Sequence, residues 1–341
     1  MPSLEDWAKG TFAATAGLST VAFGLLYYGQ NYLIYPSAFP PGSRTDVPNP
    51  ERFGLPYHDL ELTAQDGVKL RCYLLVQSKD LSQADATDVP FVENMSDEQF
   101  IASRPTVIMF HGNGGNLGHR IPLAKVFYAK MRCNVLMLSY RGYGLSEGNP
   151  SEKGLKQDAQ AALDYVRSHP ALSKGPTVLY GQSLGGAVSI DLASRNPDSI
   201  SALVLENTFL SLPRLVPSAI PALGPLSFLC HQKWDSASKI HLIPHTTPIL
   251  MLSGTRDEVV PREHMQGLWE LVQKRDEKKE ESVKNDKSNK DDTSNPKRDV
   301  PAGVVDPRNR SKFLTFSFGT HNDTCVQPGY WSAVAEFVGD L

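Results

Sequence analysis

The stretch Gly181-Gln182-Ser183-Leu184-Gly185-Gly186 decides how the rest of the chain is arranged. Before it, Thr177-Val178-Leu179-Tyr180 is a β-branched, apolar run suited to a buried strand; after it, Leu184 to Arg195 carries small and apolar residues at helical spacing. Ser183 is therefore expected at a strand-to-helix turn, in a backbone conformation that an L-residue adopts only under constraint. Gly181 and Gly185 remove the side chains that would collide there. Such a turn pushes the hydroxyl outward, and the following helix aims its free N–H groups at any oxyanion forming beside it. The competing reading is a glycine-rich turn without chemistry, so other parts of the chain must supply a base and an acid.

Downstream, the base and acid have candidates after the right strands. Ser253-Gly254-Thr255-Arg256-Asp257 follows a strand expected at Ile249 to Leu252, and Gly319-Thr320-His321 follows the last strand, expected at Phe313 to Phe318. The order Ser183, Asp257, His321 is the order in which a nucleophile, orienting acid and base are laid out on a sheet of this kind. Glu258 and Glu206 are alternative acids, and His245 and His264 alternative bases. Upstream, His111-Gly112-Asn113-Gly114-Gly115-Asn116 follows a buried strand at Thr106 to Phe110. Its glycines let backbone N–H groups face a bound carbonyl, so the N–H groups of Asn113 and Leu184 are the expected oxyanion hole. The loop lacks the Lys-Ser/Thr ending or the GxGxxG order of phosphate-binding loops, and His111 and His119 lack acidic partners at metal-ligand spacing. Tyr140-Arg141-Gly142-Tyr143-Gly144 suggests a tight turn under the site, with Arg141 tying loops together.

Between these motifs strands and helices alternate, which predicts an α/β fold with a mostly parallel sheet covered by helices on both faces. Helices are expected around Pro122 to Met131, over Ser151 to Ser168 with Ser151 as N-cap, and over Gln327 to Gly339. Further strands are expected at Asn134 to Leu138 and Ser201 to Leu205, and a hairpin at His58 to Thr63 and Val68 to Gln77 around Asp66-Gly67. Residues 207–248 are apolar but broken by Pro213, Pro217, Pro221 and Pro225, so they predict a lid of short helices over the serine. Residues 79–105 read as a polar, acidic surface insertion, and residues 274–312, rich in Lys, Asp, Glu, Asn and Ser, as a disordered charged loop.

No charged residue lies between Lys9 and Arg44, and Thr11 to Tyr28 is apolar or small, with tyrosines at and beyond its end. Roughly 20 apolar residues span a bilayer, so residues 1–35 read as a membrane anchor with an aromatic belt, followed by a proline-rich connection at 36–56 and a catalytic domain at 57–341. A cleaved signal peptide competes, but Glu5 and Asp6 stand where its basic start belongs. The few flanking basic residues lean towards a cytosolic domain and leave orientation open. Over 341 residues the formal charge of -3 gives no reason to expect nucleic acid as a partner. Cys72, Cys133, Cys230 and Cys325 lie far apart, indicating neither a zinc site nor a disulfide framework, and no metal or cofactor is expected.

With the motifs assembled, HGNGGN at 111–116, SYRGYGLSEGNPSEKGL at 139–155, GQSLGGAVSIDLA at 181–193, LENTFLS at 205–211 and SGTRDEVVP at 253–261 resemble the α/β-hydrolase superfamily. In particular they are similar to the membrane-anchored alpha/beta-hydrolase domain-containing proteins of the thirteen type and to the fungal bud-emergence (Bem) homologues. The resemblance implies an α/β-hydrolase fold, one N-terminal membrane helix, and a triad carried over onto Ser183, Asp257 and His321. The expected activity is a serine hydrolase cleaving an ester or thioester of an acyl-lipid or acylated protein, placed in the endoplasmic reticulum or another endomembrane. A non-catalytic interaction protein of the same fold, or an acyltransferase, are the alternatives.

Overall fold

A computed structural model describes residues 3–79, 95–275, 304–306 and 310–341. Among the described residues nine strands form one sheet in the order β1-β2-β4-β3-β5-β6-β7-β9-β8. The hairpin β1 (His58–Thr63) and β2 (Lys69–Leu75) is antiparallel and closes one side. Its loop is longer than a two-residue turn: Ala64 N–H donates to Val68 and Gly67 N–H to Ala64. β3 (Thr106–Phe110), β4 (Asn134–Leu138), β5 (Thr177–Gln182), β6 (Ala202–Glu206), β7 (Ile249–Gly254) and β9 (Ser311–Phe316) run parallel. The edge strand β8 (Val304–Asp306) pairs antiparallel with β9.

The central strands are buried on both faces, as continuous apolar runs in a parallel sheet must be. Alternate residues divide between two cores. Ile108, Leu136, Leu179, Leu203 and Met251 meet α4 (Glu152–Ser168), α5 (Leu184–Arg195) and α8 (Arg262–Gln273) on one face. Val107, Val135, Val178, Val204 and Leu250 meet α3 (Ile121–Lys125) and α9 (Tyr330–Gly339) on the other. Ser151 caps α4, accepting from Gly154 N–H at 3.1 Å. The closing helix begins at Tyr330 rather than Gln327, because Gly329 takes φ 84° just before it. The helix expected around Pro122 to Met131 starts earlier, as a 3₁₀ turn at Leu117–Arg120, and ends as a π turn at Val126–Lys130.

The N-terminal helix α1 spans Leu4–Ile34, and Lys9–Ile34 is long and apolar enough to cross a membrane. Thr11, Thr15 and Thr20 donate their hydroxyls to carbonyls one turn back, so these polar groups are satisfied inside the helix. Between β6 and β7 the chain forms only short pieces: α6 (Leu212–Ala219), a 3₁₀ segment at Pro221–Leu229, and α7 (Ser236–Lys239) followed by a 3₁₀ turn.

Two polar segments contain more structure than their composition suggests. Within 79–105, Ser96 and Gln99 form a reciprocal capping box that starts α2 (Asp97–Ala102), and Phe100 is buried beneath it. Residues 80–94 lie outside the described residues. Within 274–312 the expectation of a loop throughout is corrected at both ends. Arg275 is buried and donates to the carbonyls of Pro244 and Thr247 and to Ser311 Oγ, while Val304–Asp306 and Ser311-Lys312 belong to the sheet. A fully paired guanidinium is compatible with burial, which composition alone does not reveal. Residues 276–303 and 307–309 lie outside the described residues.

Candidate active site

The parallel strands all end at one edge, and the expected site residues collect there. Ser183 is the N-cap of α5, with φ 53° and ψ -117°. Its backbone is clamped by β6 and the residues after it: Ser183 N–H donates to Glu206 O at 2.9 Å, and Thr208 Oγ1 donates to Ser183 O at 2.7 Å. The two glycines matter through close approach. A Cβ on Gly181 would lie 2.2 Å from Gly185 O, and one on Gly185 would lie 2.0 Å from Phe110 O. No side chain fits either gap, so the sharp turn requires glycine at both positions.

Asp257 and His321 meet on the loops after β7 and β9. His321 Nδ1 donates to Asp257 Oδ2 at 2.8 Å and lies 3.0 Å from Oδ1. The carboxylate also accepts the N–H groups of Val259 and Val260 at 2.9 and 2.7 Å, and its side chain is 2% exposed. Those bonds fix its orientation, and with it which ring nitrogen of His321 carries hydrogen. The alternative acids sit elsewhere. Glu258 accepts the backbone N–H of His321 at 3.1 Å rather than its ring. Glu206 is wholly buried, accepting the hydroxyls of Tyr180 and Tyr330 at 2.7 and 2.6 Å, and burial raises its pKa. Of the alternative bases, His264 accepts Leu210 N–H, and burial lowers its pKa.

The main chain of His321 is held from the other side as well. Its carbonyl accepts from Gln182 Nε2 at 3.0 Å and from Asn207 Nδ2 at 3.2 Å. Asn207, at φ 45°, also bonds Thr324 Oγ1 and accepts Gly254 N–H, so one residue after β6 joins the ends of three strands. Neither Gln182 nor Asn207 stands out in sequence; the signal was only their place immediately after a strand or at its last residue.

Asn113 faces Ser183 across a cavity, and its side chain is engaged. Tyr143 Oη donates to Asn113 Oδ1 at 2.7 Å, and Asn113 Nδ2 donates to Ile34 O at the end of α1. The backbone N–H groups of Asn113 and Leu184 have no backbone acceptor among the described residues. His111 lies behind the loop: its Nδ1 bonds Gly112 O at 2.7 Å, its ring packs on Tyr140 and Tyr143, and burial pushes its pKa down to about 3. Arg141 donates to Asp158 on α4 and to Asp66 in the hairpin loop, tying the two beneath the site. Among the described residues no three His, Cys, Asp or Glu side chains come together in a way that could hold a metal ion.

Ser183, His321, Asn113 and Leu184 line one cavity of about 540 Å³. Its remaining walls are largely apolar, from the lid and, unforeseen in the sequence, from the C-terminal turns of α1. That volume falls in the range of small-molecule sites.

A family model described as the alpha/beta hydrolase fold matches residues 105–224. Protein bem46 of Schizosaccharomyces pombe is 40% identical over 328 residues, covering 96% of this chain and 91% of that protein. An uncharacterized membrane protein of Saccharomyces cerevisiae is 34% identical over 331 residues, covering 97% of this chain and 96% of its own. Among solved structures, an esterase of Pyrococcus furiosus superposes with a TM-score of 0.57 at 19% identity, over 86% of this chain and 95% of that one. At that identity the likeness is one of fold.

Proposed function

The chain belongs to the α/β-hydrolase superfamily, among the relatives of bem46, and from that premise we propose that it is a membrane-anchored serine hydrolase cleaving an ester or thioester of a lipid-like acyl group. One observation carries this reading: Ser183, at φ 53° on a strand-to-helix turn, opens into the same apolar cavity as His321, whose ring is bonded to a buried aspartate.

In the proposed reaction His321 Nε2 takes the Ser183 Oγ proton as the oxygen attacks the carbonyl carbon. Asp257 keeps the hydrogen on Nδ1 and stabilises the imidazolium that forms. The N–H groups of Asn113 and Leu184 receive the oxyanion; each such donor is worth about a hundredfold or more in rate. The imidazolium protonates the departing alcohol or thiol, leaving an acyl-enzyme. Water then attacks, giving its proton to His321, and the carboxylic acid departs as Ser183 regains its hydrogen. The helix α1 would hold this machinery at a bilayer by a single crossing, a reading supported by its length, its apolar surface and the membrane protein among its relatives.

The test is labelling of the full chain with a fluorophosphonate, which phosphonylates activated serines. Labelling of wild type that vanishes in Ser183→Ala is expected. A folded wild type that does not react, or a Ser183→Ala variant that reacts equally, contradicts the proposal.

A further inference from the structure

The cavity has a wall that a detached catalytic domain would lack. Leu26, Leu33 and Ile34, from the last turns of α1, face Leu215, Leu223 and Leu226 of the lid across it. Three sets of bonds hold that arrangement. Gln30, 5% exposed, accepts His231 N–H at 2.9 Å and donates to Leu229 O at 3.3 Å, gripping the chain where the lid ends. Tyr35 Oη donates to Gln232 Oε1 at 3.1 Å and accepts from Trp234 Nε1 at 2.8 Å. On the opposite side, Asn113 Nδ2 reaches Ile34 O, and Gly115 N–H donates to Phe39 O at 2.9 Å. The end of α1 thus bridges the lid and the loop bearing Asn113.

A buried Gln whose amide oxygen takes a distant backbone N–H, and whose amide nitrogen is shared between Tyr27 O one turn back and the distant Leu229 O, marks a fixed contact, since a buried amide left without partners is destabilising. Around the cavity, Leu33, Ile220 and Phe228 are 57%, 43% and 71% exposed, continuing the apolar surface of α1 onto the lid. An apolar patch rimming a cavity beside a membrane helix marks a lipid-facing mouth.

We propose that the last turns of α1 form one wall of an acyl-chain site, so that the membrane helix itself selects long-chain acyl groups and admits them from the bilayer side. This deepens the hydrolase reading above and rests on it. The helix is then part of the binding site as well as a tether.

Two fluorophosphonates that differ only in alkyl chain, one short and one long, test it on the full chain in phosphatidylcholine nanodiscs. Wild type should label faster with the long probe. Leu26→Trp fills the cavity from α1 and should lower the long-over-short rate ratio by about tenfold or more. Leu33→Trp, at a half-exposed position that accommodates added bulk, should move the ratio the same way and carries the test if the first variant fails to fold. Leu18→Trp, on the same helix but 73% exposed and away from the cavity, should leave it unchanged. An unaltered ratio in both cavity variants overturns the α1 wall while the hydrolase reading stands. No labelling by either probe in folded wild type overturns both.

Discussion

Glu258 accepts the backbone N–H of His321 at 3.1 Å, while its neighbour Asp257 holds the ring of the same residue at 2.8 Å. Two adjacent acids thus grip one histidine at different points, and their substitutions should separate. Asp257→Asn cannot fix the same tautomer and is expected to lower kcat by about 10⁴-fold. Glu258→Ala loses one hydrogen bond to a backbone that Gln182 and Asn207 still hold, and should cost less than about tenfold. Steady-state kinetics on a cleaved ester, with circular dichroism to verify folding, decides the matter; equal losses would assign the orienting role wrongly.

Tyr143 reaches the loop bearing Asn113 from below, through Asn113 Oδ1. Tyr143→Phe keeps the ring that packs on His111 and removes only that donor. The expected result is a severalfold to about tenfold drop in kcat with KM nearly unchanged, because the loop loses orientation while the cavity keeps its shape. A change confined to KM would place Tyr143 in substrate binding.

The turn at Ser183 sits at a backbone conformation that costs an L-residue on the order of 1–3 kcal/mol. Ser183→Gly should therefore abolish labelling yet raise the melting temperature by a few degrees. Gly185→Ala, whose Cβ would sit 2.0 Å from Phe110 O, should prevent accumulation of folded protein. Thermal melts of purified full-length variants test both.

Burial holds the His111 pKa down at about 3, against the ordinary value of 6.5. Below pH 6.5 the unfolded chain binds a proton there that the folded chain refuses until about pH 3, so this site makes the protein less stable as pH falls across that window. The slope approaches about 1.4 kcal/mol per pH unit. His111→Phe should flatten the acid limb of a urea-midpoint profile relative to wild type, and an unchanged profile would show that His111 does not titrate this way.

The positions of the turn at Ser183, of the Asn113 loop and of Asp257 and His321 were legible because each lies within a few residues of a strand whose apolar run identifies it. The α/β alternation was legible for the same reason, since buried parallel strands and amphipathic helices carry different periods. Gln30, Tyr35 and Asn207 were not. Apart from Tyr27, one turn before Gln30, the partners of these side chains lie between 47 and 202 residues away, and a polar residue in a largely apolar helix gives no sign of what it will meet. The edge strand Val304–Asp306 was hidden for a different reason: three residues inside a charged stretch carry no period at all, and their pairing comes from β9. Arg275 was hidden by the composition around it, because a charge belongs on the surface unless its donors find acceptors, here backbone carbonyls and the Ser311 hydroxyl.

The direction of the parallel strands has a further consequence. Gln77, just before the 80–94 stretch, bonds Asn134 at the beginning of β4, and Arg275, just before 276–303, bonds the residues leading into β7. The described residues leading into both stretches therefore lie at the starting edge of the sheet, whereas Ser183 and His321 stand at its finishing edge. The points at which the described chain leaves the sheet, Lys79 and Arg275, thus stand away from the strand ends that carry Ser183 and His321. A reporter fused at these flanks would give, through its exposure to one compartment or the other, the topology of the whole molecule.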